Sequence, residues 1–111
     1  MHEITFAKNL LRKVNKVVKN KEKVLKIIIE IGELSPLEGE ELKELLEKLA
    51  PYKFEISVLE SCIKCNCGFV GRAKIVERLH EKVIFSCPNC ENISCEIIKG
   101  DEIKIKKIIY R

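Results

Sequence analysis

Six cysteines carry most of the chemistry this sequence can do. Cys62, Cys65, Cys67, Cys87, Cys90 and Cys95 all lie in one third of the 111-residue chain, and the first 61 residues contain none. A secreted disulfide scaffold would spread its cysteines through the fold and carry a leader. The start of this sequence lacks the basic, then apolar, then small-residue pattern of such a leader, so the expected location is cytoplasmic. Clustered thiols in a reducing compartment read as metal ligands. Cys87-Pro88-Asn89-Cys90 has the spacing at which two thiolates grip one ion from a tight turn, where backbone N–H groups can reach the sulfurs. The upstream partner is open. Cys62 and Cys65 make the familiar CxxC spacing, whereas Cys65 and Cys67 make a tighter CxC followed by Gly68, a residue free to adopt positive φ. Nineteen residues separate Cys67 from Cys87, within the loop range of zinc ribbons. Four thiolates in a tetrahedron select zinc or an iron centre, and zinc is the commoner outcome. With few apolar residues between the two pairs, the ion is expected to hold this region together. Two cysteines are left over. Cys95 and one of the upstream three are either inert or joined in a disulfide.

The sequence opens Met1-His2-Glu3. A free α-amine, the backbone nitrogen of His2 and its imidazole can close fused chelate rings around one ion, and three nitrogens in a plane suit Ni(II) or Cu(II) better than tetrahedral Zn(II). Glu3 can add a carboxylate or a backbone nitrogen. Both the amine and His2 must lose protons to bind, so affinity should fall with pH. Standing alone, a histidine at position 2 is also an ordinary solvent-exposed helix end. The other histidine, His80, lies seven residues before Cys87; as an isolated residue it reads as plain surface, and it becomes a fourth nickel donor only where the cysteine region folds toward the N-terminus.

The elements that must position these groups follow from periodicity. From His2 to about Asn20, apolar residues (Ile4, Ala7, Leu10 or Leu11, Val14, Val17, Val18) recur at helical steps, with lysines on a solvated face. Lys23–Ile31 is rich in β-branched residues and reads as a largely buried strand ended by Gly32. Ser35-Pro36-Leu37-Glu38 has the form of a capping box, so a helix is expected from there to about Leu49, stopped by Pro51. Lys53–Leu59 alternates as a strand, and Glu102–Tyr110 reads as a last one. The expected fold is α+β: a small three-stranded sheet with two helices, plus an inserted zinc-ribbon-like lobe, dividing as 1–60 with 99–111 against 61–98. Net charge is +4, from 21 basic and 17 acidic side chains, which permits an acidic partner without demanding one. No apolar run approaches the ~20 residues of a membrane span, so no membrane partner is expected. The absence of Gln and Trp and the dominance of Ile, Lys and Glu resemble hyperthermophile composition.

Taken together, Met1-His2-Glu3, then Ile31-Gly32-Glu33-Leu34-Ser35, the cysteine pairs and Gly100-Asp101-Glu102-Ile103-Lys104-Ile105 resemble the hydrogenase nickel-incorporation family, HypA/HybF, across essentially the whole chain. The resemblance implies a nickel metallochaperone, not an enzyme. It would work with a maturation GTPase to load nickel, as cargo, into the large-subunit precursor of NiFe hydrogenase; some family members also serve urease, and a homodimer is allowed. It implies an α/β nickel domain and a structural zinc domain. His2 becomes the principal nickel ligand, supported by Met1 and Glu3, and Cys87 and Cys90 match the second zinc pair. The first pair departs from the family form of CxxC followed directly by Gly; here Cys65 and Cys67 are the expected ligands, with Cys62 as substitute. Glu91 replaces the glycine expected after Cys90. The competing reading from the residues is a nucleic-acid-binding zinc ribbon, or a zinc-stabilised scaffold. Against nucleic acid, the basic residues are diluted by acids and the cysteine region is poor in stacking aromatics.

Overall fold

The computed structural model describes residues 2–79 and 82–111, apart from the side chain of His2. Among the described residues, two helices and eight strands form a mixed α+β fold: α1 (His2–Val17), β1 (Val24–Gly32), α2 (Gly39–Leu49), β2 (Phe54–Leu59), β3 (Cys62–Lys64), β4 (Val70–Gly71), β5 (Lys74–Arg78), β6 (Val83–Ser86), β7 (Glu96–Lys99) and β8 (Ile103–Tyr110), with a short 3-10 turn at Lys21–Lys23. They fall into two compact units. The first comprises Met1–Glu30, Leu37–Ser57 and Lys104–Arg111; the second comprises Ile31–Pro36 and Val58–Ile103.

In the first unit α1 packs on α2. Ala7, Leu10, Leu11 and Val14 of α1 and Leu42 and Leu46 of α2 are buried with Ile27 and Ile29 of β1, while the end positions Ile4 and Val17 stay exposed. The strands β2, β1 and β8 form a sheet in that order. The Ile27 N–H donates to Lys53 O at 2.9 Å and the Glu33 N–H to Leu59 O at 2.9 Å, so β2 runs parallel to β1, while Gly32 to Glu102 and Arg111 to Lys23 (both 2.8 Å) set β8 antiparallel. A parallel neighbour needs a crossover, and α2 supplies it.

One expected boundary shifts. α2 starts at Gly39, with Glu38 as N-cap and no side-chain cap bond, rather than at Ser35. Ser35 is held in a turn instead: its N–H donates to Gly32 O at 2.9 Å, and its carbonyl accepts from Arg78 Nη1 at 2.8 Å. The carbonyl that a helix-opening Ser35 would offer to the first intrahelical bond thus serves Arg78, and the helix begins four residues further on.

The second unit is not the apolar-poor loop expected between the cysteine pairs. β4, β3 and β7 form an antiparallel sheet, and β5 pairs with β6 in a hairpin. Their inward residues Phe69, Ile75, Val83, Phe85 and Ile97 pack on buried Leu34, Ile63 and Ala73. The apolar residues of Lys74–Arg78 and Val83–Ser86 are the signal for this small core, but these strands are too short to stand out against loop. No helix among the described residues is long and apolar enough to cross a membrane.

Candidate metal centre

Two turns in the second unit bring four sulfurs together. The first follows β3: Cys65 N–H donates to Phe69 O (2.9 Å) and Gly68 N–H returns to Cys65 O (3.0 Å). Gly68 lies at φ +98°, a conformation that a side chain would oppose. The second turn follows β6: Cys87 N–H donates to Asn92 O (2.9 Å) and Glu91 N–H to Cys87 O (2.8 Å). Here the positive-φ position is taken by Glu91 at φ +63°, without glycine's freedom.

The Sγ atoms of Cys65, Cys67, Cys87 and Cys90 all lie within 4.8 Å of one another. Cys65 and Cys90 are 3.5 Å apart, and Cys67 and Cys87 3.7 Å. A tetrahedral ion with bonds of about 2.3 Å would set sulfurs roughly 3.8 Å apart, so the donor set fits one such ion. Each sulfur is served by the backbone N–H two residues on: Cys67 to Cys65, Phe69 to Cys67, Asn89 to Cys87 (3.4 Å) and Asn92 to Cys90. The side-chain amides of Asn89 and Asn92 add donors to Cys67 (3.7 Å) and Cys65 (3.6 Å).

These dipoles favour thiolate. The Cys67 N–H, against burial and with help from Asn92, holds the Cys65 thiol down to about 6. Cys67 is lowered chiefly by the Phe69 N–H and Asn89. The Asn92 N–H lowers Cys90 in the same way, but Cys65, burial, Cys67 and Cys87 together push it up to about 12. Like charges at this spacing cannot all ionise on their own, and a cation resolves the conflict.

Among the described cysteines, Cys62 and Cys95 stand outside the cluster. Cys62 lies in β3 opposite Lys99. Lys99 is four residues beyond Cys95, and at about 3.3 Å per residue that separates Cys62 from Cys95 by more than the roughly 7 Å a disulfide spans. The leftover pair therefore cannot bond to each other, and all six thiols are free. Of the expected nickel donors, Glu3 lies in the first turn of α1. Met1, the His2 side chain and His80 lie outside the described residues.

The segment Ile31–Ser35, which sequence reading used as a mark of the family resemblance without assigning Glu33 a partner, is anchored within the second unit. Glu33 is buried and forms a two-point ion pair with Arg72 (Nη2 to Oε1 2.8 Å, Nε to Oε2 3.1 Å). It also accepts from the Ser61 N–H at 2.7 Å and the Ser61 hydroxyl at 2.6 Å. Arg72, and then the Ser61 donors, outweigh burial and hold its carboxyl at about 2. Arg78 donates to the carbonyls of Glu33 (2.9 Å) and Ser35 (2.8 Å). At Gly32 a Cβ would stand 2.1 Å from Gly100 O, so backbone contact, not strand termination, requires glycine there. No local pattern joins Glu33 to residues 28 and 39 positions away, which is why periodicity missed them.

A family model described as hydrogenase/urease nickel incorporation, metallochaperone, hypA matches residues 1–110. The hydrogenase maturation factors HypA of Methanococcus vannielii and Methanococcus aeolicus are 30% and 32% identical, each alignment covering 98% of this chain and 96% of the relative. The solution structure of the Ni metallochaperone HypA from Helicobacter pylori overlays with a TM-score of 0.63, over 97% of this chain and 96% of that one, at 15% identity: a likeness of fold.

Proposed function

The chain belongs to the HypA family of nickel-incorporation metallochaperones, and we propose that it binds Ni(II) through its first residues and delivers it, with a maturation GTPase, to the large-subunit precursor of a NiFe hydrogenase in the cytoplasm. The observation that carries this reading is the family match from residue 1 onward, because it takes in Met1-His2-Glu3. In a chain that starts at Met1, the α-amine, the His2 backbone nitrogen and its imidazole supply a planar nitrogen set suited to d8 nickel, with Glu3 as a further donor and His80 as a candidate one. A site at a chain end releases its cargo with few buried contacts to break. No enzymatic turnover is needed for such a transfer.

The four cysteines Cys65, Cys67, Cys87 and Cys90 would hold a structural zinc ion. The donor set supports this: four thiolates, two turns, and an N–H to every sulfur, with no donor position left for substrate. Bound zinc would crosslink the two turns and neutralise the thiolates. The chain's own part is to pre-shape the turns and lower the cost of ionising Cys65 and Cys67. The second unit carries six basic against eight acidic side chains, a net charge of −2, which favours this role over nucleic-acid binding.

Calorimetric titration of Ni(II) into the zinc-loaded, untagged chain and its His2→Ala variant tests the reading. We expect one nickel site in the wild type, lost in the variant, with equal zinc content in both. Equal nickel binding by the two proteins overturns the N-terminal site.

A further inference from the structure

Cys95 lies beside the four-sulfur cluster, and strand register identifies its neighbour. β3 and β7 pair antiparallel with Ile63 opposite Ile97 and Lys64 opposite Glu96. One further step sets Cys65 opposite Cys95. The Cys65 N–H is committed to Phe69 O and its carbonyl to Gly68 N–H, so this is not a hydrogen-bonded pair. Such pairs are the closer ones in an antiparallel ladder, with Cα atoms about 4.5 Å apart and side chains on the same face. A disulfide needs Cα atoms about 4.4–6.8 Å apart. Asn92 joins the same two sulfurs independently: its carbonyl accepts from the Cys95 thiol at 3.4 Å, and its side-chain amide donates to Cys65 Sγ at 3.6 Å. A tetrahedral centre is complete with four donors, so a fifth thiol at this place has no ligand role to fill.

We propose that Cys65 and Cys95 form an intramolecular disulfide when hydrogen peroxide reaches them, withdrawing one of the four donors from the metal centre. The metal half of this inference rests on the reading of that centre as zinc-bound. In the first step the thiolate of one cysteine attacks a peroxide oxygen; the O–O bond breaks, giving a sulfenic acid and, after proton uptake, water. In the second the other thiolate attacks that sulfur; an S–S bond forms, the S–O bond breaks, and hydroxide leaves and is protonated to water. Two thiols and one peroxide become one disulfide and two waters. Disulfides among Cys65, Cys67, Cys87 and Cys90 would each use two donors at once, whereas the Cys65–Cys95 bond uses one and leaves Cys67, Cys87 and Cys90 in place.

The experiment treats the full zinc-loaded chain and its Cys95→Ala variant with hydrogen peroxide beside a chromogenic zinc chelator, then alkylates free thiols and maps disulfides by mass spectrometry. Matching zinc content before treatment establishes that the variant is folded. Expected in the wild type is a Cys65–Cys95 crosslink appearing together with zinc release, both reversed by dithiothreitol. Loss of Cys95 should abolish the crosslink and slow the release. Crosslinks confined to Cys65, Cys67, Cys87 and Cys90 with Cys95 fully alkylated overturn the proposal, as does release from the variant at the wild-type rate. A chain that takes up no zinc sinks the reading of the centre instead, and the disulfide map still decides whether Cys65 and Cys95 pair.

Discussion

The two units differ in what holds them. The first buries Ala7, Leu10, Leu11, Val14, Ile27, Ile29, Leu42, Leu46, Tyr52 and Phe54, a continuous apolar core between two helices and a sheet. The second, of similar length, has Ile31, Leu34, Ile63 and Ala73 as its buried apolar residues, beside two buried cysteines. What the second lacks in apolar burial it makes up with directional bonds: four thiols around one point and a buried carboxylate with an ion pair and two hydrogen bonds. Directional bonds are strong only while every partner is present. The first unit should therefore answer to volume and the second to chemistry.

On the proposed zinc reading of the four-cysteine centre, the largest effect should come from removing the metal. Structural zinc contributes about 10–16 kcal/mol of apparent binding energy at such sites. Chelation, or Cys87→Ser, should therefore abolish amide protection across the turns at Cys65–Phe69 and Cys87–Asn92, while α1, α2 and β1 keep theirs. Hydrogen exchange read by residue checks this, and uniform loss in both units would break the comparison. Next, Leu46→Ala should cost about 2–5 kcal/mol in chemical denaturation with zinc content unchanged.

Glu33 supplies a pH test. Its carboxyl is lowered from 4.5 to about 2, so between those values the unfolded chain takes up the proton more readily than the folded one. The contribution is complete above about pH 4.5 and is lost as the pH falls toward 2; it amounts to at most about 3 kcal/mol, reduced because Arg72 is well exposed. Glu33→Gln should lower the denaturation midpoint at neutral pH and remove this part of the acid dependence. A variant with the wild-type slope between about pH 5 and about pH 3 would assign that dependence elsewhere. The smallest effect is expected at Glu91. Its φ of +63° costs a side-chain-bearing residue about 1 kcal/mol, so Glu91→Gly should stabilise the second turn by about that amount, seen as a later chelator-induced transition.

Periodicity made α1, β1, β2 and β8 legible to within a few residues, because each presents one apolar face at its own repeat. α2 was legible in its body, through Leu42 and Leu46, but not at its start: Ser35 offers a helix cap locally, and the competing bonds to Gly32 and Arg78 come from the fold. The strands of the second unit were hidden by their shortness. The upstream cysteine pair stayed open between two spacings in the sequence, and the four-sulfur cluster contains Cys65 and Cys67.

By itself the sequence determined the chemistry available: which residues can ligate, where the glycine turn falls after Cys67, and which stretches bury a face. These depend on side-chain type and short-range spacing, which are written in order along the chain. Only the tertiary structure decided which groups meet. Glu33 finding Ser61 and Arg72 and Gly32 lying against Gly100 depend on how distant parts of the chain fold together, and the proposed Cys65–Cys95 pairing depends on the register of β3 against β7, where a shift of one residue would turn every side chain to the other face.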